Sequence, residues 1–318
     1  MKKIITIGFL VTAFSAKAVT LKFATLVPEG TNWADTIGKM AKEIRSETET
    51  KVKVFYGGVQ GDEPDVLRKT RIGQLHGGVF TGKTLGDIVF DARTMEVPFS
   101  FYNDEEKVTK FITQINEKLS SSLESKGFVN LGFYEIGKVY VVTTKKVNNL
   151  KEMKNIKIWA WEGEKLIAAM MESIGLLTVP LALPDVLSSM STGIIDGAYA
   201  PPLGVLALQW QTQIKYLIDF PAAYSVGALL VSSKAWNKIG PQKQSKIRQI
   251  AKKYIQEANK LAKQDNAQAL EQLKAMGVEF VSFPKEDLAK AETIRNDVLK
   301  KLSDRFSSDM INKLNEAR

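Results

Sequence analysis

The chain is 318 residues long, carries a formal net charge of +9, and contains one histidine and no cysteine. The missing cysteines exclude disulfides, thiolate nucleophiles and cysteine metal sites, and a single histidine excludes a histidine metal cluster. The positive charge is spread along the helical patterns and mixed with acidic residues, whereas a nucleic-acid-binding protein usually concentrates it on one face. We therefore predict no metal site and no nucleic-acid partner.

The N-terminal segment has the pattern of a secretory signal. Lysines at its start precede an apolar run over residues 4–14 that is too short to cross a bilayer, and residues 16–18 form a small-x-small cleavage site. We predict that residues 1–18 are a signal peptide and that the mature, exported chain starts at Val19. Because no cysteine follows the run, a lipidated N terminus is excluded.

Short apolar strands alternate with longer helical patterns in the first half of the chain, which predicts an α/β protein. In chain order the segments are TLKFATL (strand), NWADTIGKMAKEIRSET (helix with Asn32 as N-cap), KVKVFYG (strand), DEPDVLRKTRIGQ (helix) and YNDEEKVTKFITQINEKLSSSLESKG (helix ending at Gly127). The next segment, FVNLGFYEIGKVYVVTTKKV, is predicted as two strands joined by a turn near Gly137.

The second half continues the same alternation. GEKLIAAMMESIG is a helix whose methionine-rich stripe we assign to the core, and SVGALLVSSKAW is a buried strand. The longest helical pattern covers residues 241–276, is closed by Gly277, and is long enough to run across two lobes. EDLAKAETIRNDVLKKLSDRF adds another amphipathic helix. The roughly 300 residues left after a signal peptide favour two domains.

Residues 77–84, GGVFTGKT, match the P-loop pattern and offer the alternative of a nucleotide-binding enzyme. A P-loop needs an apolar strand before it and a helix that opens at the lysine. Here Val79 and Phe80 look like the strand itself, at the place of the phosphate loop, and Leu85-Gly86-Asp87 is a weak helix start. We therefore predict no enzyme activity and no cofactor.

Two of the five tryptophans, Trp159 and Trp161, lie two residues apart in the predicted strand KIWAW. Successive side chains of a strand point to opposite faces, so both indoles share one face with Lys157. An indole offers a large apolar area and a π face. Two interpretations stay open, namely contact with a ligand or packing in a core.

The order of segments resembles the solute-binding proteins of TRAP (tripartite ATP-independent periplasmic) transporters, the DctP-like family. The matching stretches, in chain order, are LKFATLVPEGTNWADTIGKMAKEI, VQGDEPDVLRKTRIGQL, EVPFSF, NLKEMKNIKIWAWEG and MSTGIIDGAYAPP. Each motif is loose, but their shared order and spacing cover nearly the whole mature chain.

This resemblance implies an α/β periplasmic-binding-protein fold of two lobes, with mixed sheets, an inter-lobe cleft and a long bridging helix at about 241–276. We expect lobe I over residues 19–142 plus 229–270 and lobe II over residues 143–228 plus 295–318. The implied function is that of a periplasmic solute-binding protein, which captures a small molecule in the cleft and delivers it to TRAP membrane permease subunits.

The resemblance also implies where the ligand is held. In the family, the arginine of a K-I-R motif pairs with a ligand carboxylate, and Trp159 stands at that position here. Val139 replaces a second family arginine, and Ala198, Tyr199 and Ala200 replace a polar pair. Because burying a carboxylate without a partner is costly, we predict a hydrophobic or weakly polar ligand. A rarer branch of the family, associated with a tetratricopeptide-repeat partner protein, is similar in lacking the arginine, which adds such a protein as a predicted partner.

The predicted ligand-binding residues are the two tryptophans and the residues that segment position places near them, namely Trp159, Trp161, Tyr199, Phe133, Tyr134, Glu135, Phe80 and Trp33. A rival ligand class is an organic cation, caged by the tryptophans through cation–π contacts and by the carboxylates of Glu135 and Glu162.

Overall fold

A computed structural model describes residues 19–101 and 104–318, so the predicted signal peptide lies outside the described residues. The described strands are β1 (Thr20–Ala24), β2 (Lys51–Phe55), β3 (Gly77–Thr81), β4 (Phe128–Thr143), β5 (Lys157–Trp161), β6 (Leu177–Leu181), β7 (Gly197–Ala200), β8 (Tyr216–Ile218), β9 (Ala223–Ser232) and β10 (Glu279–Val281). The described α-helices are α1 (Asn32–Thr48), α2 (Glu63–Arg71), α3 (Gly82–Ile88), α4 (Glu105–Ser125), α5 (Leu150–Met153), α6 (Leu166–Ile174), α7 (Val186–Ser191), α8 (Pro202–Ala207), α9 (Ser233–Trp236), α10 (Pro241–Ala275), α11 (Lys285–Leu288), α12 (Ala291–Lys301) and α13 (Ser308–Ala317). Short 3-10 helices lie at Phe90–Glu96, Leu183–Asp185 and Trp210–Thr212.

The strands form two sheets that share β4. The first sheet has the order β2-β1-β3-β9-β4, in which β1 runs parallel to β2 and β3, and β9 runs antiparallel to β3 and β4. In the second sheet β6, β5 and β7 are parallel neighbours, β4 is antiparallel to β7 and β8, and β10 is parallel to β8. We call the part built on the first sheet the first lobe and the part built on the second sheet the second lobe. These mixed sheets confirm the predicted α/β class.

Strand β4 is continuous, so the prediction of two strands joined by a turn near Gly137 was wrong. Its register with β9 shifts twice, between Asn130 and Gly132 and between Glu135 and Gly137. Such bulges bend a strand without ending it, and a sequence pattern does not distinguish them from a turn. Gly137 has a φ of 131°, and a Cβ there would lie 2.6 Å from Nδ2 of Asn266. The glycine therefore lets a side chain of α10 approach the backbone of β4 closely.

The long helix predicted at residues 241–276 is α10, followed by Gly277 with a φ of 89°. It packs on α1 of the first lobe and on α8 of the second lobe. Nδ2 of Asn266 donates to the carbonyl of Ile136 at 2.7 Å, and its Oδ1 accepts from the backbone N–H of Leu203 at 3.0 Å. The helix thus fixes the point at which β4 leaves the first sheet for the second.

Two helix predictions need correction in detail. Helix α1 starts at Asn32, but its N-cap is Thr31, whose hydroxyl accepts from the N–H of Ala34 at 3.2 Å. Threonine and asparagine both favour this position, so neighbouring candidates compete. The last amphipathic segment forms two helices, α11 and α12, instead of one.

Buried apolar residues form three clusters. One lies between the first sheet and helices α1 and α10, and one surrounds the tryptophans of the second lobe. The largest cluster includes Met170 and Met171 of α6, so the methionine stripe packs in the core as predicted. Among the described residues, no helix combines the length and apolar composition needed to cross a membrane.

Candidate ligand-binding site

A cavity of about 170 Å³ lies between the two lobes. It is bordered by the carboxyl ends of β3 and β5 and by parts of β7 and β9, and the crevice outside strand carboxyl ends is where open α/β sheets bind ligands. Its aromatic wall consists of Trp159, Trp161, Tyr199, Trp210 and Tyr224. A second cavity, also of about 170 Å³, shares Leu26, Thr81, Ile136, Leu183, Gly204 and Leu208 with the first.

Trp159 is 2% exposed and is held on several sides. Its Nε1–H donates to the carbonyl of Leu181 at 3.0 Å. Its ring stacks on Tyr199 with centroids 4.8 Å apart and meets the edge of Trp210 at 5.7 Å. The indole is therefore a rigid apolar wall, because its polar N–H is already used by the backbone.

Trp161 connects the lobes across the cavity. Its Nε1–H donates to Oδ2 of Asp62 at 2.9 Å, and the ring centroids of Trp161 and Trp159 are 5.7 Å apart. Asp62 is the N-cap of α2 in the first lobe, where its Oδ1 accepts from the N–H of Glu63 at 2.8 Å. The carboxylate of Asp62 in the first lobe thus accepts hydrogen bonds both from the start of α2 and from the indole of Trp161 in the second lobe.

The structure brings three of the eight predicted residues to the first cavity, Trp159, Trp161 and Tyr199. Trp33 and Tyr134 lie instead on the second cavity, with ring centroids 4.4 Å apart in an edge contact. The hydroxyl of Tyr134 donates to the carbonyl of Phe80 at 2.8 Å. Five of the predicted aromatic residues therefore divide between two adjoining cavities.

Phe80, Phe133 and Glu135 line neither cavity, contrary to the prediction. Side chains alternate along a strand, and the neighbours Thr81, Tyr134 and Ile136 take the cavity side. Phe80 is in the core, Phe133 faces a groove between α4 and α10, and Glu135 accepts from the hydroxyls of Thr109 and Tyr224 at 2.8 Å each.

The cation cage predicted from Glu135 and Glu162 is not assembled, because Glu135 is engaged elsewhere and Glu162 is exposed. The acidic residue that does reach the cavity from this loop is Glu164, two residues further along the chain. Its Oε1 accepts from the backbone N–H of Leu166 at 2.7 Å, at the start of α6. The carboxylate is thereby fixed at the cavity wall.

A buried charged cluster that the sequence did not predict also lies in this wall, formed by Arg93, Glu96 and Glu164. Arg93 is 4% exposed. Its Nη1 lies 2.6 Å from Oε2 of Glu96, and its Nη2 lies 2.9 Å from Oε1 of Glu164. Glu96 also accepts from the N–H of Val226 at 2.8 Å and from the hydroxyl of Ser225 at 3.1 Å. The one local signal is the three-residue spacing of Arg93 and Glu96 in DARTMEVPF, which is common on solvated helices.

Burial and mutual attraction set the protonation of this cluster. Burial alone would lower the pKa of Arg93, but the carboxylates of Glu164 and Glu96 raise it. Burial raises the pKa of Glu96 against the opposing effect of Arg93 and the N–H of Val226. The guanidinium therefore stays charged, and it is held between two acidic groups.

The GGVFTGKT segment borders the same cavity but does not form a phosphate loop. Gly77–Thr81 is strand β3, so the residues that would wrap a phosphate are extended. Helix α3 does open at Gly82, contrary to the prediction of a weak helix start. Lys83 is buried in the cavity wall, and its Nζ lies 2.8 Å from Oδ2 of Asp87.

Two glycines, Gly82 of this segment and Gly86 just after it, make room for the charged cluster. A Cβ at Gly82 would overlap the carboxylate of Glu96, and a Cβ at Gly86 would lie 2.7 Å from Cδ of Arg93. Within the motif, Gly82 is therefore required by packing against a buried carboxylate, whereas a Cβ at Gly77 would lie 2.1 Å from the backbone carbonyl oxygen of Leu230 on β9.

Glu63 is a buried acid in the wall of the second cavity. It is 2% exposed and accepts from the N–H and hydroxyl of Thr81 at 2.8 and 2.9 Å, and from the hydroxyl of Thr84 at 2.5 Å. Burial raises the pKa of Glu63 to about 7 despite these three donors. In the unfolded chain a glutamate has a pKa of about 4.3. Between this pH and the folded-state pKa of about 7, the folded protein binds more protons than the unfolded chain. Its free energy of unfolding therefore falls as the pH rises through this range.

We expect the free energy of unfolding of Glu63→Gln, relative to the wild type, to rise by about 2–3 kcal/mol between about pH 5 and about pH 8. The glutamine does not ionise and so avoids the desolvation of a charged carboxylate. Urea unfolding of both proteins at the two pH values measures the difference, with the exposed Glu117→Gln as the control. Parallel pH dependences for Glu63→Gln and the wild type would contradict the assignment.

Comparison with known proteins identifies the family. The sequence profile of the bacterial extracellular solute-binding proteins, family 7 (DctP), matches residues 23–305. The chain belongs to this family. It is similar to a solute-binding protein of Chromohalobacter salexigens, with 29% identity over 161 residues that cover 50% of this chain and 48% of that protein.

Solved structures of TRAP periplasmic solute-binding proteins share the fold. One from Pseudomonas putida F1 with bound D-glucuronate has 25% identity and a TM-score of 0.84, covering 93% of this chain and 96% of that chain. One from Haemophilus influenzae with bound L-gulonate has 19% identity and a TM-score of 0.88, covering 94% and 100%. These matches confirm the predicted two-lobe fold and the membership of the TRAP solute-binding proteins, a family of binding proteins and not of enzymes.

Proposed function

We propose that this DctP-family protein is the periplasmic component of a TRAP-type transporter and holds a hydrophobic or weakly polar small molecule in the inter-lobe cavity. Family membership supports the transport role and delivery to membrane permease subunits. The observation that carries the ligand class is Trp159, an apolar wall at the position where the resemblance places a carboxylate-binding arginine. A tetratricopeptide-repeat protein remains a proposed partner. Its only support is that Trp159 takes the position where the resemblance places the family's carboxylate-binding arginine.

The charges around the cavity argue against a sugar acid, although the similar proteins named above were solved with D-glucuronate and L-gulonate. Arg93 already faces Glu96 and Glu164, so this cluster has two acidic groups for one basic group. The nearby Lys83 is paired with Asp87. A ligand carboxylate would lose its hydration and meet a net negative wall, which is unfavourable.

We expect the protein purified without added ligand to carry a hydrophobic or weakly polar compound that native mass spectrometry detects. In thermal unfolding, D-glucuronate, L-gulonate and succinate should leave the melting temperature unchanged. A specific ligand at about a hundred times its Kd should add about 2.7 kcal/mol to the free energy of unfolding, a shift of several degrees. Tight binding of one of these acids that survives Trp159→Ala would contradict the proposal.

A further inference from the structure

The cluster of Arg93, Glu96 and Glu164 has no role in holding a purely apolar ligand, yet it forms part of the cavity wall. A guanidinium presents N–H donors on all three nitrogens. Nη1 and Nη2 of Arg93 each contact one carboxylate, whereas its buried Nε–H has no hydrogen-bond partner among the described residues. Nε itself has no accessible surface, but Nη1 and Nη2 each carry a second N–H beyond these contacts. Because Arg93 is part of the cavity wall, the guanidinium has donor capacity that the protein leaves unused.

The unused donor selects for a neutral acceptor. A hydrogen bond from a charged donor contributes about 1.5–3 kcal/mol, which an acceptor on a ligand would gain from the guanidinium. An anionic acceptor would also meet the carboxylates of Glu96 and Glu164, which already surround the guanidinium at 2.6 and 2.9 Å. A carbonyl oxygen takes the hydrogen bond without adding a charge.

The cavity size limits the apolar part of such a ligand. An apolar cavity of about 150 Å³ in another protein holds benzene, so the 170 Å³ cavity fits one ring. The adjoining second cavity, which shares Leu183 and Leu208 with it, has room for an extension of similar size. Stacked side chains such as Trp159 and Tyr199 favour a flat ring at this wall.

We propose, on the basis of the proposed function, that the ligand is an uncharged ring compound with a carbonyl group, and that the guanidinium of Arg93 donates a hydrogen bond to that carbonyl. The aromatic residues hold the ring, and the charged cluster selects the polar group. Glu96 and Glu164 act as positioning residues that hold the guanidinium and repel anions.

Four probes with the same ring and different polar groups test this assignment, namely ethylbenzene, acetophenone, benzoate and phenethylammonium. Their dissociation constants for the purified wild-type protein, stripped of co-purified compounds, are measured by calorimetry. Acetophenone should bind at least about tenfold more tightly than ethylbenzene, because one recovered hydrogen bond is worth about 1.4 kcal/mol or more. Benzoate and phenethylammonium should bind more weakly than acetophenone.

Arg93→Lys provides a second measurement, because it keeps the positive charge between the two carboxylates and removes the planar donor group. We expect the preference for acetophenone over ethylbenzene, taken as the ratio of the two dissociation constants in the same variant, to fall to nearly onefold. The exposed Arg68→Lys serves as the control and should keep the wild-type preference. An unchanged preference in Arg93→Lys would overturn the role of Arg93.

The outcomes of the wild-type series separate this inference from the proposed function. Equal binding of ethylbenzene and acetophenone would overturn the carbonyl assignment and leave the apolar site standing. Tightest binding of phenethylammonium would overturn it in favour of an organic cation, and tightest binding of benzoate would overturn both proposals. If none of the four probes bound, both proposals would also be overturned, because a cavity of this size and lining would then bind no aromatic ring.

Discussion

Replacing Arg93 with methionine should lower the free energy of unfolding by about 3–5 kcal/mol. The substitution removes the charge between Glu96 and Glu164 and leaves two buried carboxylates without their shared partner. Methionine approximates the length of the arginine stem, so the loss reports mainly on the charges. Urea unfolding monitored by tryptophan fluorescence measures it.

The matched control is Arg68→Met, since Arg68 forms a surface ion pair with Asp65 and its side chain is 62% exposed. We expect this control to lose less than about 1 kcal/mol. Burial raises the pKa of Glu96, so the loss in Arg93→Met should shrink as the pH is lowered and that carboxyl takes up a proton. Equal losses in the two variants, or a loss independent of pH, would show that the cluster is not a buried ionic unit.

The parts of the fold that could be predicted are those with a strong local pattern. Helix α10 shows one apolar face from Ile247 to Leu273, and the strand that carries Trp159 and Trp161 has clear ends. In β4 the local pattern led to the wrong prediction of a turn, because the glycine at residue 137 is equally typical of a turn and of a bulge. Which of the two forms depends on Asn266, which lies 129 residues further along the chain and packs against that glycine.

The candidate site was only partly predictable, for two physical reasons. Choosing residues by segment ignores the alternation of strand side chains, so Phe80 was chosen although its neighbour Thr81 faces the cavity. The ion pair of Arg93 and Glu164 joins residues that are 71 positions apart in the chain. No pattern in the sequence around either residue predicts this contact. Long-range pairs of this kind arise only when the lobes come together.

Replacing Trp159 with alanine should lower the free energy of unfolding by about 3–5 kcal/mol and abolish retention of the co-purified compound. The substitution removes a buried ring that stacks on Tyr199 and contacts Trp210. It also removes one of the two donors to the carbonyl of Leu181, which still accepts from the N–H of Glu162 at 3.2 Å. The cavity loses its flat wall and opens to water, so a ring-sized ligand loses both contact area and exclusion from solvent. Urea unfolding gives the first quantity, and native mass spectrometry of the purified variant gives the second.

Trp236→Ala separates the two effects, because Trp236 is also buried, at 4% exposure, but packs in the first lobe beside Arg248 and lines neither cavity. We expect a similar loss of stability in this variant together with full retention of the compound. If both variants lost the compound, its release would follow from general destabilisation. If Trp159→Ala kept it, the indole would be a core residue and the ligand would be held elsewhere, which would remove the reason for assigning an apolar ligand to this cavity.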